Sequence, residues 1–131
     1  MIMRGRTISK GRAEGVVLAT REPLSFLGGI DPETGVVMEK GHELEGKSVR
    51  GKILVFPWGK GSTVGTYALY QMKRKGTAPA GIVNTKAEGV VAVGAIISGI
   101  PMIDSLDGNP LTLQGKRVYM DADEGYLEVR G

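Results

Sequence analysis

Ile53-Leu54-Val55-Phe56-Pro57-Trp58-Gly59-Lys60-Gly61-Ser62-Thr63-Val64-Gly65 reads as a strand, a tight loop and the start of a helix. The apolar run stops at Pro57, glycines at 59 and 61 let the backbone turn, and an apolar helical spacing begins beyond Ser62. Ser62 is thereby placed at a helix N-terminus. Unpaired backbone N–H groups and the positive end of the helix dipole there favour negative charge, including that of an oxygen that has lost its proton. Ile53 to Phe56 has no polar alternation, so both faces of this strand are expected to be covered, as in the parallel sheet of an α/β protein.

Around this unit, runs bounded by Gly, Pro, Asp or Asn predict further strands at Met3 to Ile8, Gly15 to Thr20, Lys52 to Phe56, Gly81 to Val83, Pro101 to Ile103, Arg117 to Asp121 and Tyr126 to Val129. The last two flank Ala122-Asp123-Glu124-Gly125 and should form a hairpin. The spacing predicts a helix over Thr63 to Lys75, with Val64, Tyr67, Ala68 and Met72 on one face, Lys73-Arg74-Lys75 complementing the dipole and Gly76 at the position after the C-cap. Ala87 to Ser98 fits a short helix or a buried strand, and periodicity does not separate the two. Many short strands with about two helices predict a three-layer β/β/α arrangement with a parallel central sheet.

The chain has 131 residues and 41% hydrophobic content, which suits one globular domain over residues 1–131. Its 21 glycines imply many tight turns. It has no cysteine, so it forms no disulfide and offers no thiolate to an iron–sulfur cluster. The one histidine, His42, lies among Glu39, Lys40, Glu43 and Glu45, which reads as a solvated turn rather than a zinc site, and no metal site is expected. Asp104 and Asp107 read as turn formers around Gly108-Asn109-Pro110. A net charge of +3 is spread along the chain, and aromatics are not interleaved with a basic patch, which argues against nucleic-acid binding. The N-terminal residues lack a secretory h-region and no apolar run reaches spanning length, so a cytoplasmic protein without membrane insertion is expected.

Counting excludes two familiar phosphate loops. Aligning Gly59-Lys60 to a Walker A motif puts Leu54 at its first glycine and Gly61 at its hydroxyl position, and a dinucleotide fingerprint starting at Gly59 would need glycine where Val64 stands. What the residues do resemble is the small subunit of the aconitase X family. The likeness is carried by Pro23-Leu24-Ser25-Phe26-Leu27-Gly28-Gly29-Ile30-Asp31-Pro32-Glu33-Thr34-Gly35, by Gly59-Lys60-Gly61-Ser62 and by Gly94-Ala95-Ile96-Ile97-Ser98-Gly99-Ile100-Pro101-Met102-Ile103-Asp104, in that order.

The resemblance implies a swivelling β/β/α domain and a helix, at least in part, over the ambiguous second segment. It implies a hydro-lyase that dehydrates (R)-5-phosphomevalonate to trans-anhydromevalonate 5-phosphate in the archaeal mevalonate pathway. Ser62 would be the proton acceptor, and a large subunit paired in a heterodimer would hold a 4Fe–4S cluster. Gly59, Lys60, Gly61 and Thr63 then become the residues expected to hold substrate or stabilise a serine alkoxide. No histidine lies nearby in sequence to activate Ser62, which argues against a hydrolase triad. In aconitase itself an arginine closely follows the serine. Here Thr63, Val64 and Gly65 follow, so the cation for the substrate carboxylate must come from elsewhere, the partner included. The segment Phe26 to Gly35, a long loop with Gly-Gly and Asp-Pro turn signals, is expected at a partner contact, and Trp58 either there or packed against the second helix. Two alternatives stand beside this reading: another aconitase X dehydratase of the hydroxyproline type, and a non-catalytic anion-binding regulatory module.

Overall fold

A computed structural model describes residues 1–61 and 65–131. Its strands are β1 (Ile2–Arg4), β2 (Arg6–Ser9), β3 (Arg12–Ala19), β4 (Ile53–Phe56), β5 (Gly81–Asn84), β6 (Met102–Asp104), β7 (Arg117–Asp121) and β8 (Tyr126–Val129), with helices α1 (Gly65–Lys75) and α2 (Gly89–Ser98). They form one sheet in the order β1-β8-β7-β3-β4-β5-β6-β2. The four central strands β3, β4, β5 and β6 run parallel. The expected hairpin is present, with Asp121 opposite Tyr126 across the turn.

Alternation along β4 produces the layers. Ile53 and Val55 face a core built with Val17, Val83, Ile103 and, from the antiparallel strands, Val118, Met120 and Leu127. Leu54 and Phe56 face the opposite way, onto Leu69 and Met72 of α1, Val91 and Ala95 of α2, and Leu24, Phe26 and Ile30 of the long loop after β3. All four β4 residues are buried. The parallel sheet thus has an antiparallel layer on one side and the helices on the other, the β/β/α arrangement expected of an α/β swivelling domain.

Two expectations need correction. Met3 to Ile8 is two strands, because Gly5 breaks the run and its N–H donates to Gly125 O (2.8 Å). β1 and β2 occupy opposite ends of the sheet order yet are joined by this one residue, so the sheet curls until its two edges are neighbours. A Cβ on Gly5 would overlap the carbonyl oxygen of Asp104, which is why the crossing point is glycine.

The buried face of α1 is Gly65, Leu69 and Met72, not the face that includes Tyr67, which is 67% exposed; Val64 lies outside the described residues. Ala68 is partly buried and packs on the core as expected. The helices meet through glycine: a Cβ on Gly65 would lie 3.3 Å from Val90, and one on Gly94 3.1 Å from Leu69. A contact face made of glycine carries no hydrophobic signal.

The ambiguous second segment is a helix, fixed at both ends. Glu88 caps it by accepting from the N–H groups of Val90 and Val91, and Gly99 ends it at φ +68°. Gly76 likewise closes α1 at φ +77°, and Thr77 N–H reaches back to Met72 O (2.9 Å). No helix among the described residues is long and apolar enough to cross a membrane.

Candidate functional site

The carboxyl ends of β4, β5 and β6 form one rim. The loop from Pro57 to Gly61 leaves it held by main-chain bonds: Thr85 N–H donates to Pro57 O (3.1 Å), Leu24 N–H to Trp58 O (3.3 Å), and Lys60 N–H to Leu24 O (2.9 Å). Asn84 Nδ2 donates to Phe56 O (3.0 Å) at the root of the loop. The first two sequence motifs are therefore physically joined, with Leu24 bridging in parallel to Gly59.

Both glycines of this loop are required by close approach. A Cβ on Gly59 would overlap Val91 Cγ2 and lie 3.1 Å from Glu88 Oε1, so the loop lies directly on the start of α2. Gly61 adopts φ +105°, a conformation side chains resist, and a Cβ there would be 3.1 Å from Ser25 Oγ. Val91 and Glu88 precede the third motif, which reaches the rim at its last residue, Asp104, through the bond from Ala87 N–H to its Oδ2 (2.7 Å). Ser62 and Thr63, with Val64, lie outside the described residues; on either side of them the chain leaves the loop at Gly61 and resumes in α1 at Gly65.

Lys60 is engaged. Its Nζ donates to Glu39 Oε2 at 2.7 Å, with the two side chains 45% and 30% exposed. Glu39 follows the strap in which Met38 N–H donates to Gly29 O (2.8 Å), so this ion pair ties the Phe26 to Gly35 segment to the glycine loop. Asp31 organises that segment as a turn, accepting from Glu33 N–H (3.0 Å) and Thr34 Oγ1 (3.1 Å).

Large apolar side chains stand exposed around the rim. Leu27, Met38, Trp58 and Tyr67 do so near the loop, and a cavity of about 220 Å³ opens between Phe26, Leu27 and Ile30 on one side and Tyr67, Ala68 and Gln71 of α1 on the other. Helix α2 bears no charged residue, and its outward positions Val93, Ile96 and Ile97 are each about half exposed.

Three features of the rim were not legible as site features in the sequence. Asp104, expected to form a turn, is instead the fully buried end of β6. Arg6 Nη2 donates to its Oδ2 and Arg6 Nε to its Oδ1 (2.7 and 3.0 Å), and Ala87 N–H also donates to Oδ2 (2.7 Å). Burial alone would push this carboxyl up, but the Arg6 and Ala87 hydrogen bonds, with the Arg6 charge, outweigh it and hold it below the usual carboxylate range. Ser105, the next residue, has φ +56°, uncommon for a residue with a side chain. Asn84 is buried, its Oδ1 has no partner among the described residues, and it borders a cavity of about 330 Å³ shared with Thr85, Ser105 and Asp107. A polar residue ending the run Gly81-Ile82-Val83-Asn84 was the one available hint.

His42 is also corrected: its ring is buried, not solvated. Nδ1 accepts from Leu44 N–H (3.0 Å), which leaves Nε2 to donate to Pro23 O (3.0 Å). It braces the first residue of the first motif, Pro23. Asp107, expected to form a turn, lies in a bend and ties it to the end of β1: its side chain accepts from Arg4 N–H (3.0 Å) and its N–H donates to Arg4 O (2.8 Å).

The arrangement suits handling of an anion or an oxyanion at the loop: a helix start, a tight glycine backbone and one ammonium, beside a surface too apolar to be left in water. Comparison with known proteins places the chain in a family. A family description, the aconitase X swivel domain, matches residues 2–129. The phosphomevalonate dehydratase small subunit of Methanosarcina acetivorans is 54% identical over 129 residues, covering 97% of this chain and 90% of that one. That of Thermococcus gammatolerans is 51% identical, covering 98% of both. A chain in the crystal structure of Thermococcus kodakaraensis aconitase X, holo form, superposes with a TM-score of 0.94 at 50% identity, over 100% of this chain and 99% of that one.

Proposed function

The chain belongs to the aconitase X swivel domain family, and from that premise we propose that residues 1–131 form a single swivel domain, the small subunit of a cytoplasmic phosphomevalonate dehydratase. The observation that carries this reading is identity above one half along essentially the whole length of relatives bearing that subunit's name. The reaction would convert (R)-5-phosphomevalonate to trans-anhydromevalonate 5-phosphate and water. One C–H and one C–O bond break, and a carbon–carbon double bond and one O–H bond of water form, the departing hydroxyl taking its proton from solvent in balance with the one that the base later gives up.

In this reading Ser62 takes the proton next to the carboxylate. That proton is weakly acidic, so the base must be strong and held in place, and an alkoxide is costly unless its charge is met by fixed dipoles. The loop backbone at Gly59 and Gly61, the start of α1, Thr63 and Lys60 are the groups assigned to meet it or to hold substrate. The proton on Ser62 passes to solvent before the next turnover.

Departure of the tertiary hydroxyl calls for a Lewis acid. A chain without cysteine does not fit a thiolate-held cluster, so we assign a 4Fe–4S cluster to the large subunit of the heterodimer. The half-bare, uncharged helix α2 supports such a partner, because a helix apolar on all sides belongs in an interior. Its first turn touches Gly59, so a subunit that covers α2 also reaches the loop.

Co-expression with the large subunit from the same source under anaerobic conditions tests the reading. The pair should dehydrate phosphomevalonate, while this chain alone should be inactive and colourless. A pair that assembles but acts on a hydroxyproline and not on phosphomevalonate would contradict it.

A further inference from the structure

The loop proposed to receive a doubly anionic substrate already carries an anion of its own. Lys60 is the one cation between Pro57 and Gly61, and its ammonium is bonded to Glu39 at 2.7 Å. The neighbouring carboxylate, Glu88, is spent on the N–H groups of Val90 and Val91. Glu39 has no comparable task in the described structure, since its Oε2 bonds Lys60 and its backbone carbonyl accepts from His42 N–H (3.2 Å). Both partners of the pair are partly exposed, so the bond is one that an incoming anion can exchange.

We propose that Glu39 is an intramolecular competitor for the anion site at Lys60: a phosphate or carboxylate group displaces it on binding, and it re-forms the pair as product leaves. Glu39 acts through Lys60 and is a positioning residue, not a catalytic one. A site closed by its own carboxylate binds any anion more weakly, in proportion to the fraction of molecules in which the pair is open. That tax falls on substrate, product and inorganic phosphate alike. It keeps the loop free of simple anions until a ligand with further contacts arrives, and it hastens release of a product that retains both anionic groups.

The inference rests on the reading that Lys60 faces the substrate, and the test separates the two. In the reconstituted pair, Glu39→Gln keeps the size and hydrogen-bonding reach of the side chain but removes its charge. It should lower KM for phosphomevalonate and Ki for inorganic phosphate together, by about two- to fivefold, the range set by the strength of an exposed ion pair. Lys60→Met should raise both constants, and adding Glu39→Gln to it should change nothing further. If Lys60→Met raises KM but Glu39→Gln leaves KM and Ki unaltered or raises them, the competitor role is overturned while the site survives. If Lys60→Met itself changes neither constant, both fall.

Discussion

At the scale of single residues, two kinds of position behave differently. Gly59 and Gly61 were legible because a tight loop after a strand demands them, and the structure adds the reason each excludes a Cβ: Val91 and Glu88 for one, Ser25 and a positive φ for the other. Asp104 was not legible. Nothing in Met102-Ile103-Asp104 announces that its partner is Arg6, 98 residues away in sequence, so local turn chemistry was the only available reading. Its lowered pKa has a consequence for stability. As pH falls, the unfolded chain takes up a proton near the ordinary aspartate value of about 3.9, while the folded chain resists until lower pH. The stabilisation is therefore complete above that value and is lost as pH falls through the folded-state pKa. Asp104→Asn should flatten this acid limb of the stability profile, measured by urea unfolding at a series of pH values below about 5. An unchanged limb would show that the carboxylate does not hold the rim.

At the scale of elements, α1 was anticipated from its spacing, with Ala68 and Met72 on the core as expected but Tyr67 turned outward and Gly65 and Leu69 in its place. Hydrophobic spacing locates a helix well and orients it poorly when the contacting residues are Gly65 and Gly94, which pack by absence. The opposite situation holds for α2, whose uniform apolarity hid whether it was helix or strand. Its caps at Glu88 and Gly99 decided the matter. That same uniformity makes its outer face the place to test assembly. Ile96→Glu alters a side chain that is 56% exposed and so should shift the unfolding free energy of the isolated chain by no more than about 0.5 kcal/mol. Burying that charge against the large subunit should sharply reduce recovery of the pair by affinity purification. Full recovery would place the partner on another surface.

At the scale of the whole molecule, seven short apolar runs and a strand buried on both faces were enough to predict three layers with a parallel centre. The closure of the sheet was not legible, because a one-residue crossing at Gly5 looks like an uninterrupted strand until the pairing of β1 with β8 and of β2 with β6 is known. The three motifs lie far apart in sequence, and the fold gathers one part of each: Leu24 and Ser25, Gly59 to Gly61, and Asp104 at the end of β6 stand at the carboxyl ends of the parallel strands. The central proposal is that Ser62, next in sequence to this meeting point, is the base that acts on a substrate held against another subunit. The most direct measurement is turnover of phosphomevalonate by the anaerobically reconstituted pair carrying Ser62→Ala, with complex formation monitored in the same preparation. Unimpaired assembly with turnover lower by orders of magnitude is the predicted result; turnover equal to that of the unmodified pair would contradict the account.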